Sequence, residues 1–451
     1  MLDVLWSMAG FVVAISVLVA FHEYGHYWVA RRCGVKVLRF SIGFGRPLWT
    51  RRTRDGVEWV VSALPLGGYV KMLDEREQDV APAERHLAFN NASVWRRIAI
   101  VAAGPAFNFG LAVLLYWGTY VIGIEGLRPI VAAPAAQSVA ARQGIREGDE
   151  VLSLNGRPVA TWTDLHAMLI DLALDRSQLV LDLRTAQGAN REVLLDLSGV
   201  RMEPELLFED IGLRPYEPRM RAVIDEVMRG EAAEAAGLQV GDELLSIDGT
   251  PIESWQQWAQ WVRAHPGEVA QLGIRRGGET RVLRVVIGRQ IEGERVIGRF
   301  GAAVAKPGDL WQDLRAVSRL GVVDAATEAV AQTWRMSWLT LRMLGRMVTG
   351  DISVKNVSGP IQIAQVAGVS AQIGLVSFLS FMAVVSVSLG VLNLLPVPVL
   401  DGGHLLYYGV EALTGSPVSE RAQLAGQRLG LTLLALLMGL AFYNDIVRLL
   451  N

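Results

Sequence analysis

Four long apolar segments dominate the hydrophobic pattern of this chain. They run from Val4 to Phe21, from about Ile98 to Ile124, from about Ile373 to Leu395 and from about Leu429 to Leu450. A helix of about 20 apolar residues covers the ~30 Å hydrocarbon core of a bilayer. Neighbouring helices can satisfy the backbone groups that glycine and proline free inside such spans. The pattern therefore predicts a multi-pass α-helical membrane protein with four transmembrane helices.

A more polar insert between the second and third apolar segments contains an internal duplication. Residues 144–158 recur at 237–251 with a constant offset of 93 positions. Each copy contains a strand-like stretch, Glu150–Leu154 or Glu243–Ile247, that is followed by Asn-Gly or Asp-Gly. These dipeptides are strong turn signals between strands. Because the repeat length matches a compact domain, we expect two tandem α+β domains of one fold.

The loop between the first two spans contains an unusually apolar stretch at residues 57–72. Two β-prone runs flank Leu64–Gly68, which holds one proline and two glycines and is a hairpin signal. The stretch is too short to cross a bilayer. We expect a membrane-associated β-hairpin that dips into the bilayer. An ordinary packed hairpin is the alternative.

The segment Asp309–Met347 follows the repeats and carries apolar residues at mixed helical spacing, with Trp311, Trp334 and Trp338 among them. Amphipathic helices at a membrane interface have this composition, and a plain helical stalk is the alternative. The chain is thereby divided into an N-terminal membrane core (1–125), two repeat domains (126–213 and 214–305), an interfacial helical region (306–365) and a C-terminal membrane core (366–451).

The composition agrees with a membrane protein that has soluble parts. Of the 451 residues, 51% are hydrophobic, and the mean hydropathy is +0.30, which exceeds the usual soluble range. The formal net charge is −2, and no long basic tract carries interleaved aromatic residues. Nucleic acid is therefore not an expected partner. Cys33 is the only cysteine, so an intrachain disulfide is excluded.

The distribution of charge predicts an orientation. Eight lysines and arginines and no acidic residue lie from Arg31 to Arg54. The positive-inside rule places such a loop in the cytoplasm, so four spans would put both termini and the insert on the opposite side. Binding of anionic lipids is another use of these charges and is compatible with the same topology. The start, Met1-Leu2-Asp3, has no basic n-region, which favours a retained helix over a signal peptide.

The most specific string in the chain is His22-Glu23-Tyr24-Gly25-His26, directly after the first apolar segment. On a helix, His22 and His26 are one turn apart and share a face, so both imidazoles can reach one zinc ion. Glu23 lies beside them, where it can polarise a water molecule. Ionisable groups at membrane depth are costly, which favours a functional interpretation. The alternative is a pair of histidines that merely cap a membrane helix.

A catalytic zinc site needs a third protein ligand. The best donor is Asp401, an acid that follows the third apolar span within Asn393–His404 and has no nearby basic partner in sequence. Two prolines and two glycines in this segment would end the helix and bend the chain around a polar site. His404 is a second possible donor, but we expect it to lie outside the ligand set.

The paired motifs resemble those of the site-2 proteases, the zinc intramembrane metalloproteases. The resemblance rests on His-Glu-x-x-His near one end of the chain and on Asn-x-x-Pro-x-Pro-x-Leu-Asp-Gly, residues 393–402, near the other. Residues 41–45 (Ser-Ile-Gly-Phe-Gly) and 104–109 (Gly-Pro-x-x-Asn-Phe) are similar to motifs of the bacterial branch. The duplicated modules resemble PDZ domains of bacterial envelope proteases. Essentially the whole chain is covered by this resemblance.

The resemblance implies roles for individual residues. It implies zinc (Zn2+) bound by His22, His26 and Asp401, with Glu23 as the general base. Asn393 is similar to a family asparagine that helps hold the substrate or stabilise the intermediate. Further substrate-binding positions are expected at the glycines of the first motif and of the expected hairpin, namely Gly43, Gly45, Gly67 and Gly68.

The implied function is zinc-dependent intramembrane proteolysis in the bacterial inner membrane. The expected substrates are single-pass membrane proteins, typically an anti-sigma factor already trimmed in the periplasm, or signal peptide remnants, and their cleavage would start an envelope stress response. The PDZ-like domains and both termini would be periplasmic, with the active site toward the cytoplasm. These domains would bind peptides or C-termini, or act as a size filter. The alternatives are a non-catalytic membrane scaffold and a membrane-anchored metalloprotease that acts on soluble or unfolded chains.

Overall fold

The computed structural model describes residues 2–173, 178–198, 200, 208, 210–292, 295–304, 312–349 and 359–450. The chain divides into two compact units. We call Met1–Ile124 together with Arg319–Asn451 the four-span unit, and Glu125–Ser318 the insert unit. Each unit is described by itself.

The two units contain both helices and strands. The helices are α1 (Leu2–Arg32), α2 (Val94–Ile122), α3 (Val139–Arg142), α4 (Trp162–Ala173), α5 (Ala232–Ala235), α6 (Trp255–Ala264), α7 (Val322–Thr349), α8 (Pro360–Ile373), α9 (Leu375–Leu394), α10 (Asp401–Thr414) and α11 (Glu420–Leu450). Short 3-10 helices cover Pro82–Leu87 and Phe89–Asn91.

The strands fall mostly in the insert unit, apart from a long pair in the four-span unit. They are β1 (Val37–Arg52), β2 (Glu58–Met72), β3 (Ile124–Leu127), β4 (Glu150–Leu154), β5 (Arg157–Pro158), β6 (Gln178–Arg184), β7 (Asn190–Asp196), β8 (Ile224–Val227), β9 (Glu243–Ile247), β10 (Thr250–Pro251), β11 (Val269–Arg276), β12 (Glu279–Val286), β13 (Gly288–Glu292), β14 (Arg295–Arg299), β15 (Ala302–Val304) and β16 (Arg315–Ser318).

Within the described ranges, the helices long and apolar enough to cross a membrane are α1, α2, α9 and α11. They coincide with the four predicted apolar segments, so the prediction of four spans is confirmed by length and composition. Helix α1 continues past the predicted end at Phe21 and includes the whole histidine motif. It ends just before Gly34, whose φ of +78° is a left-handed conformation that terminates a helix.

Helix α2 is the central helix of the four-span unit. It packs against α1, α7, α9 and α10. One apolar cluster joins Ala112 and Tyr116 of α2 to Ala329 of α7 and to Val387 of α9. Because α2 is apolar around most of its circumference, it can bury side chains against several neighbours at once. It therefore supplies the common contact surface for the helices that carry the functional motifs.

The two long strands of the four-span unit correct the predicted hairpin. Phe40 of β1 pairs with Trp59 on one side and with Val70 on the other. The two apolar runs of residues 57–72 therefore do not pair with each other in the described register, because a segment of β1 lies between them. Residues 49–52 of β1 pair with the outer side of residues 58–61. The hairpin prediction was wrong. Alternation of apolar and polar residues indicates which face of a strand is buried, but it does not indicate which strand pairs with it.

The duplicated sequence coincides with two four-stranded sheets in the insert unit. Their strand orders are β5-β4-β6-β7 and β10-β9-β11-β12, which correspond strand for strand. The predicted strands Glu150–Leu154 and Glu243–Ile247 are confirmed with their bounds. The turns that follow place Asn155 and Asp248 at φ of 48° and 47°, as expected for tight turns at Asn-Gly and Asp-Gly. The identity of these modules as PDZ domains stays a prediction.

After the repeats, the predicted amphipathic region contains one long helix, α7, with Trp334 and Trp338 exposed. Trp311 lies outside the described residues. The next helix, α8, begins at a buried acid of α11: the Asp445 carboxylate accepts backbone hydrogen bonds from Gly359, Ile361 and Gln362 at 3.0, 2.9 and 3.3 Å. These donors lack partners inside their own helix, so a side chain distant in sequence caps α8. A location of this region at a membrane interface stays a prediction.

A buried carboxylate occupies the same position in each repeat. Asp149 and Asp242 each accept a hydrogen bond at 2.9 Å from the backbone N–H three residues earlier. In the second repeat, Arg276 also donates to both oxygens of Asp242, at 2.7 and 2.6 Å. Burial alone would raise the pKa of Asp242, but the hydrogen bonds from Arg276 and the backbone outweigh it and lower that pKa.

The Asp242→Asn variant should destabilise the second repeat at neutral pH. Because the pKa of Asp242 is lowered by folding, its charge stabilises the fold above its ordinary pKa, and this contribution is lost as pH falls through the folded-state value. We expect a loss of about 2 kcal/mol at neutral pH that shrinks in acid, measured as the free energy of local opening by amide hydrogen exchange in β9 and β11. Asp149→Asn is the matched control, because it removes no arginine pair among the described residues. Its free energy of local opening, measured in β4 and β6 of its own repeat, should fall by less. Equal losses at neutral and acidic pH would contradict the prediction.

Candidate metal centre

Helix α1 brings the two motif histidines to one face. Their rings meet edge to face with centroids 4.8 Å apart, and the two Nε2 atoms lie 3.2 Å from each other. The helix continues without interruption through the motif, which fixes the one-turn spacing of His22 and His26. Both side chains are largely buried, so two polar rings face each other inside the four-span unit.

Asp401 reaches the same point from the other end of the chain. Helix α9 ends at Leu394, and Asp401 is the first residue of α10. Between them the chain turns sharply, with Val399 at φ +133°, a strained conformation for a β-branched residue. A Cβ on Gly402 would lie 2.1 Å from the Leu395 carbonyl oxygen, so only glycine fits this turn. Asp401 Oδ2 lies 3.1 Å from His22 Nε2 and 3.4 Å from His26 Nε2.

The hydrogen bond of His26 leaves a lone pair, and not a proton, facing the centre of this cluster. The Ile100 carbonyl oxygen can only accept, and it lies 2.9 Å from His26 Nδ1. This contact places the ring proton on Nδ1 and leaves the Nε2 lone pair toward Asp401. Asp401 Oδ2 is buried and receives no regular hydrogen bond from the described part of the chain.

The donor set therefore fits a metal ion. One ligand atom each from His22, His26 and Asp401 lies within 4.8 Å of the other two. Two imidazole nitrogens and one carboxylate oxygen are a regular donor set for catalytic zinc, which keeps a fourth position open. A cation at this point would bind the Asp401 oxygen that has no hydrogen bond. It would also accept the Nε2 lone pairs, which otherwise face the carboxylate and repel it.

Asn108 is a site residue whose contact the sequence reasoning did not identify. Its side-chain Nδ2 is 3.1 Å from His22 Nδ1, while its Oδ1 has no partner in the described structure. A half-turn of the amide would place Oδ1 on the Nδ1–H of His22 and satisfy both groups. That arrangement leaves His22 Nε2 free to bind metal. The sequence signal was an amide inside an apolar span, which is costly without a partner.

Two glycines let α1 and α2 approach closely enough to form this site. A Cβ on Gly104 of α2 would lie 2.3 Å from His26 Nε2 and 2.7 Å from His22 Cε1. A Cβ on Gly25 of α1 would lie 2.5 Å from the Ala103 carbonyl oxygen. Any larger side chain at either position would push the helices apart or displace the imidazoles.

Glu23, the second residue of the histidine motif, lies against the sheet. A Cβ on Gly68 of β2 would lie 2.8 Å from Glu23 Cγ, 2.9 Å from Val19 Cγ1 and 2.7 Å from the Ser41 carbonyl oxygen. The strand therefore runs directly past the Glu23 side chain at a position where only glycine fits. Glu23 itself is half-buried, beside the converging donors.

The other glycines expected to bind substrate lie in the same sheet, and the atoms nearest to them belong to the sheet itself. Gly43 and Gly45 have φ of +88° and +87°, and a Cβ on Gly43 would lie 2.8 Å from the Leu64 carbonyl oxygen. Gly67, at φ +146°, lies against the ring of Phe44. These three glycines have an evident conformational role, and a role in substrate binding stays a prediction.

Two further residues of the C-terminal motif do not join the donor cluster. Asn393 lies in the last turn of α9, half-buried, and its side chain makes no hydrogen bond with the described residues. His404 lies one turn after Asp401, is exposed, and is not among the converging donors of the described residues. That His404 lies outside the ligand set stays a prediction.

Comparison with known proteins gives the family. The model of peptidase family M50 matches residues 10–437. The chain is 44% identical over 451 residues, with 100% of both chains covered, to the regulator of sigma-E protease RseP of Escherichia coli (strain K12). It is 43% identical over 449 residues to a Neisseria meningitidis protein named as a zinc metalloprotease, covering 99% of this chain and 100% of the relative.

A protein of Xylella fastidiosa (strain Temecula1), also named as a zinc metalloprotease, is 44% identical over 452 residues with 99% of each chain covered. The family match extends over nearly the whole chain and includes both motifs that supply the converging donors. The chain therefore belongs to peptidase family M50, the site-2 proteases, and is a zinc-dependent metalloendopeptidase.

Proposed function

We propose that this protein is an intramembrane endopeptidase that cuts the transmembrane segments of single-pass membrane proteins. We assign His22, His26 and Asp401 as the zinc ligands. The observation that carries this proposal is their convergence, with ligand atoms within 4.8 Å of one another, in a unit built from helices of spanning length. A metal held at that depth can act on a peptide bond that soluble proteases cannot reach.

The residues around the ligands fix which atoms face the metal. Bound zinc supplies a Lewis acid that polarises the scissile carbonyl and acidifies an attacking water molecule. The Ile100 carbonyl keeps the proton of His26 on Nδ1. Asn108 would do the same for His22 with its amide turned so that Oδ1 accepts from Nδ1–H. Glu23 takes the proton of the water at its carboxylate and hands a proton to the leaving amine nitrogen.

The strand beside Glu23 gives the substrate a place to bind in extended form. A helical substrate hides its carbonyl groups in backbone hydrogen bonds and must unwind locally before attack. Residues 68–72 pair with β1 on one side, and among the described residues no strand covers the other side. We propose that an unwound substrate segment adds to this edge as a strand, which would hold it next to Glu23.

Phe44, Leu48, Trp49 and Leu64 of the same sheet are exposed large apolar side chains. Their exposure supports the proposal that this sheet enters the bilayer.

The names of the relatives suggest the biological setting. One is a regulator of sigma-E protease, and we propose that this chain likewise acts on a membrane-anchored anti-sigma factor and on signal peptide remnants in the bacterial inner membrane. The basic loop from Arg31 to Arg54 supports a cytoplasmic location for that loop and a periplasmic one for the insert unit and both termini. The repeats would then be PDZ domains that bind peptides or exclude untrimmed substrates.

Glu23→Gln should separate metal binding from catalysis. The variant keeps all three proposed ligands but has lost the base, so we expect full zinc content and cleavage reduced at least about 100-fold. The measurement is metal content by mass spectrometry together with cleavage of a single-pass transmembrane substrate. A soluble unfolded protein serves as the second substrate, and its preferential cleavage would favour a protease of soluble chains. Equal activity of variant and wild type would remove Glu23 from the mechanism.

Asp401→Asn tests the third ligand. An amide oxygen is neutral and a weaker zinc donor than a carboxylate, so zinc affinity should fall about 10-fold or more. The measurement is chelator competition on the purified full-length protein. Asp74→Asn is the control, because Asp74 is a buried carboxylate of the same unit that lies outside the donor cluster. Unchanged zinc affinity in Asp401→Asn would exclude Asp401 as a ligand.

Gly104→Ala tests the close approach of α1 and α2. The added methyl group would fall 2.3 Å from His26 Nε2, so we expect zinc content and activity to drop together. Gly118→Ala is a matched control on the same helix, since a Cβ at Gly118 meets nothing within 4 Å. A normal zinc content in Gly104→Ala would show that the helices can separate without loss of the site.

A further inference from the structure

A buried ion pair joins α2 to the helix that begins with Asp401. The Arg97 guanidinium of α2 donates to both carboxylate oxygens of Glu411 in α10, at 2.5 and 3.1 Å. The two side chains are only 14% and 17% exposed. Arg97 Nε also donates to the Ala92 carbonyl oxygen at 3.1 Å, and the guanidinium lies 4.8 Å from the centre of the Tyr408 ring. The pair therefore has the two-pronged geometry that fixes direction as well as distance.

Each partner sits at the end of its helix that is unfavourable for its charge. Arg97 is in the first turns of α2, and Glu411 is in the last turn of α10. The helix dipole disfavours a cation near an N-terminus and an anion near a C-terminus. Paired, each charge lies at the favourable end of the other's helix. The placement of both residues is thus explained by their mutual contact and not by their own helices.

Arg97 shares its helix face with the residues that hold the histidines. Along α2, positions 97, 100, 104 and 108 follow at helical spacing, so they lie along one stripe. The Ile100 carbonyl accepts from His26, Gly104 admits both imidazoles, and Asn108 contacts His22. One end of this stripe therefore contacts the histidines of α1, and the other end binds α10 through Glu411.

We propose that Arg97 and Glu411 set the register of α10 along α2 and thereby hold Asp401 opposite the two histidines. This inference rests on the ligand set proposed above. Arg97 and Glu411 are positioning residues, since neither belongs to the proposed ligand set or contacts the reacting atoms. Their role is to fix α10 against α2, so that the third ligand, Asp401, keeps its position.

The geometry of α10 explains why such a grip is needed. Asp401 is joined to α9 only through the strained turn at residues 395–400, and its own Oδ2 has no regular hydrogen bond in the described structure. Asp401 and Glu411 are ten residues apart on one helix, a distance of about 15 Å. Because a helix moves as a rod, a shift at Glu411 is passed to Asp401 almost undiminished. Metal ligands need placement within about 0.5 Å.

The test is a set of variants of the full-length protein with zinc affinity as the readout. Arg97→Ala and Glu411→Ala remove the pair one partner at a time, and the exchange Arg97→Glu with Glu411→Arg rebuilds it in reverse. Arg128→Ala is the matched control, because Arg128 forms a similar pair with Glu150 in the insert unit, at 2.9 and 2.8 Å. Visible absorption of the Co2+-loaded protein reports the coordination geometry in parallel.

We expect each single variant of the pair to lower zinc affinity about 10-fold or more. Losses of this size are typical when a residue that orients a metal ligand is replaced. The exchanged pair should restore most of this affinity, since opposite charges again face each other across the same contact between α2 and α10. Arg128→Ala should leave zinc affinity and the Co2+ spectrum unchanged. Loss of affinity without rescue by the exchange would contradict a register role.

A second background separates positioning from general destabilisation. In Asp401→Asn the third ligand is already weakened, so adding Arg97→Ala should cause little further loss of zinc affinity. A further loss as large as in the wild type would mean that Arg97 does not act through Asp401, and would overturn the inference. If the alanine variants fail to fold, Arg97→Lys and Glu411→Gln are used in their place. These substitutions keep the size of the side chain but lose the two parallel hydrogen bonds of the pair.

The outcomes also separate this inference from the proposed ligand set. Unchanged zinc affinity in Asp401→Asn would refute Asp401 as a ligand. Weakened affinity in Asp401→Asn, with normal affinity in every folded variant of Arg97 and Glu411, would refute only the register role.

Discussion

The close contact between α1 and α2 is the constraint on which the rest of the structure depends. Two glycines, Gly25 and Gly104, bring the helices so near that the imidazoles occupy the space where a side chain of α2 would stand. At that distance, α2 also supplies the Ile100 carbonyl and the Asn108 amide that orient the rings. A single helix thus provides the space and the hydrogen bonds for a site whose donors come from two other helices.

Sequence patterns predicted the features that depend on near neighbours in the chain. Apolar length gave the four spans, helical periodicity placed His22 and His26 on one face, and Asn-Gly and Asp-Gly gave the repeat turns. Asp401 was named because the donor chemistry of zinc required a third ligand. In each case, local spacing or a chemical requirement left few alternatives.

The features that the sequence did not predict all depend on contacts between distant segments. The pattern of residues 57–72 identified strands but not that a segment of β1 inserts between them. The cap of α8 comes from Asp445, more than 80 positions away. The pairing of Arg97 with Glu411 spans 314 positions, and the sequence around each residue does not indicate its partner. One sequence carries no signal for such partners until the helices are packed.

The separation of the converging donors along the chain has a consequence for biosynthesis. His22 and His26 leave the ribosome with the first helix, whereas Asp401 follows after most of the 451 residues have been made. A nascent chain halted anywhere before that point holds the two imidazole nitrogens but not the Asp401 carboxylate. The half-made protein therefore lacks one of the three converging donors, and the set is complete only when translation is nearly finished.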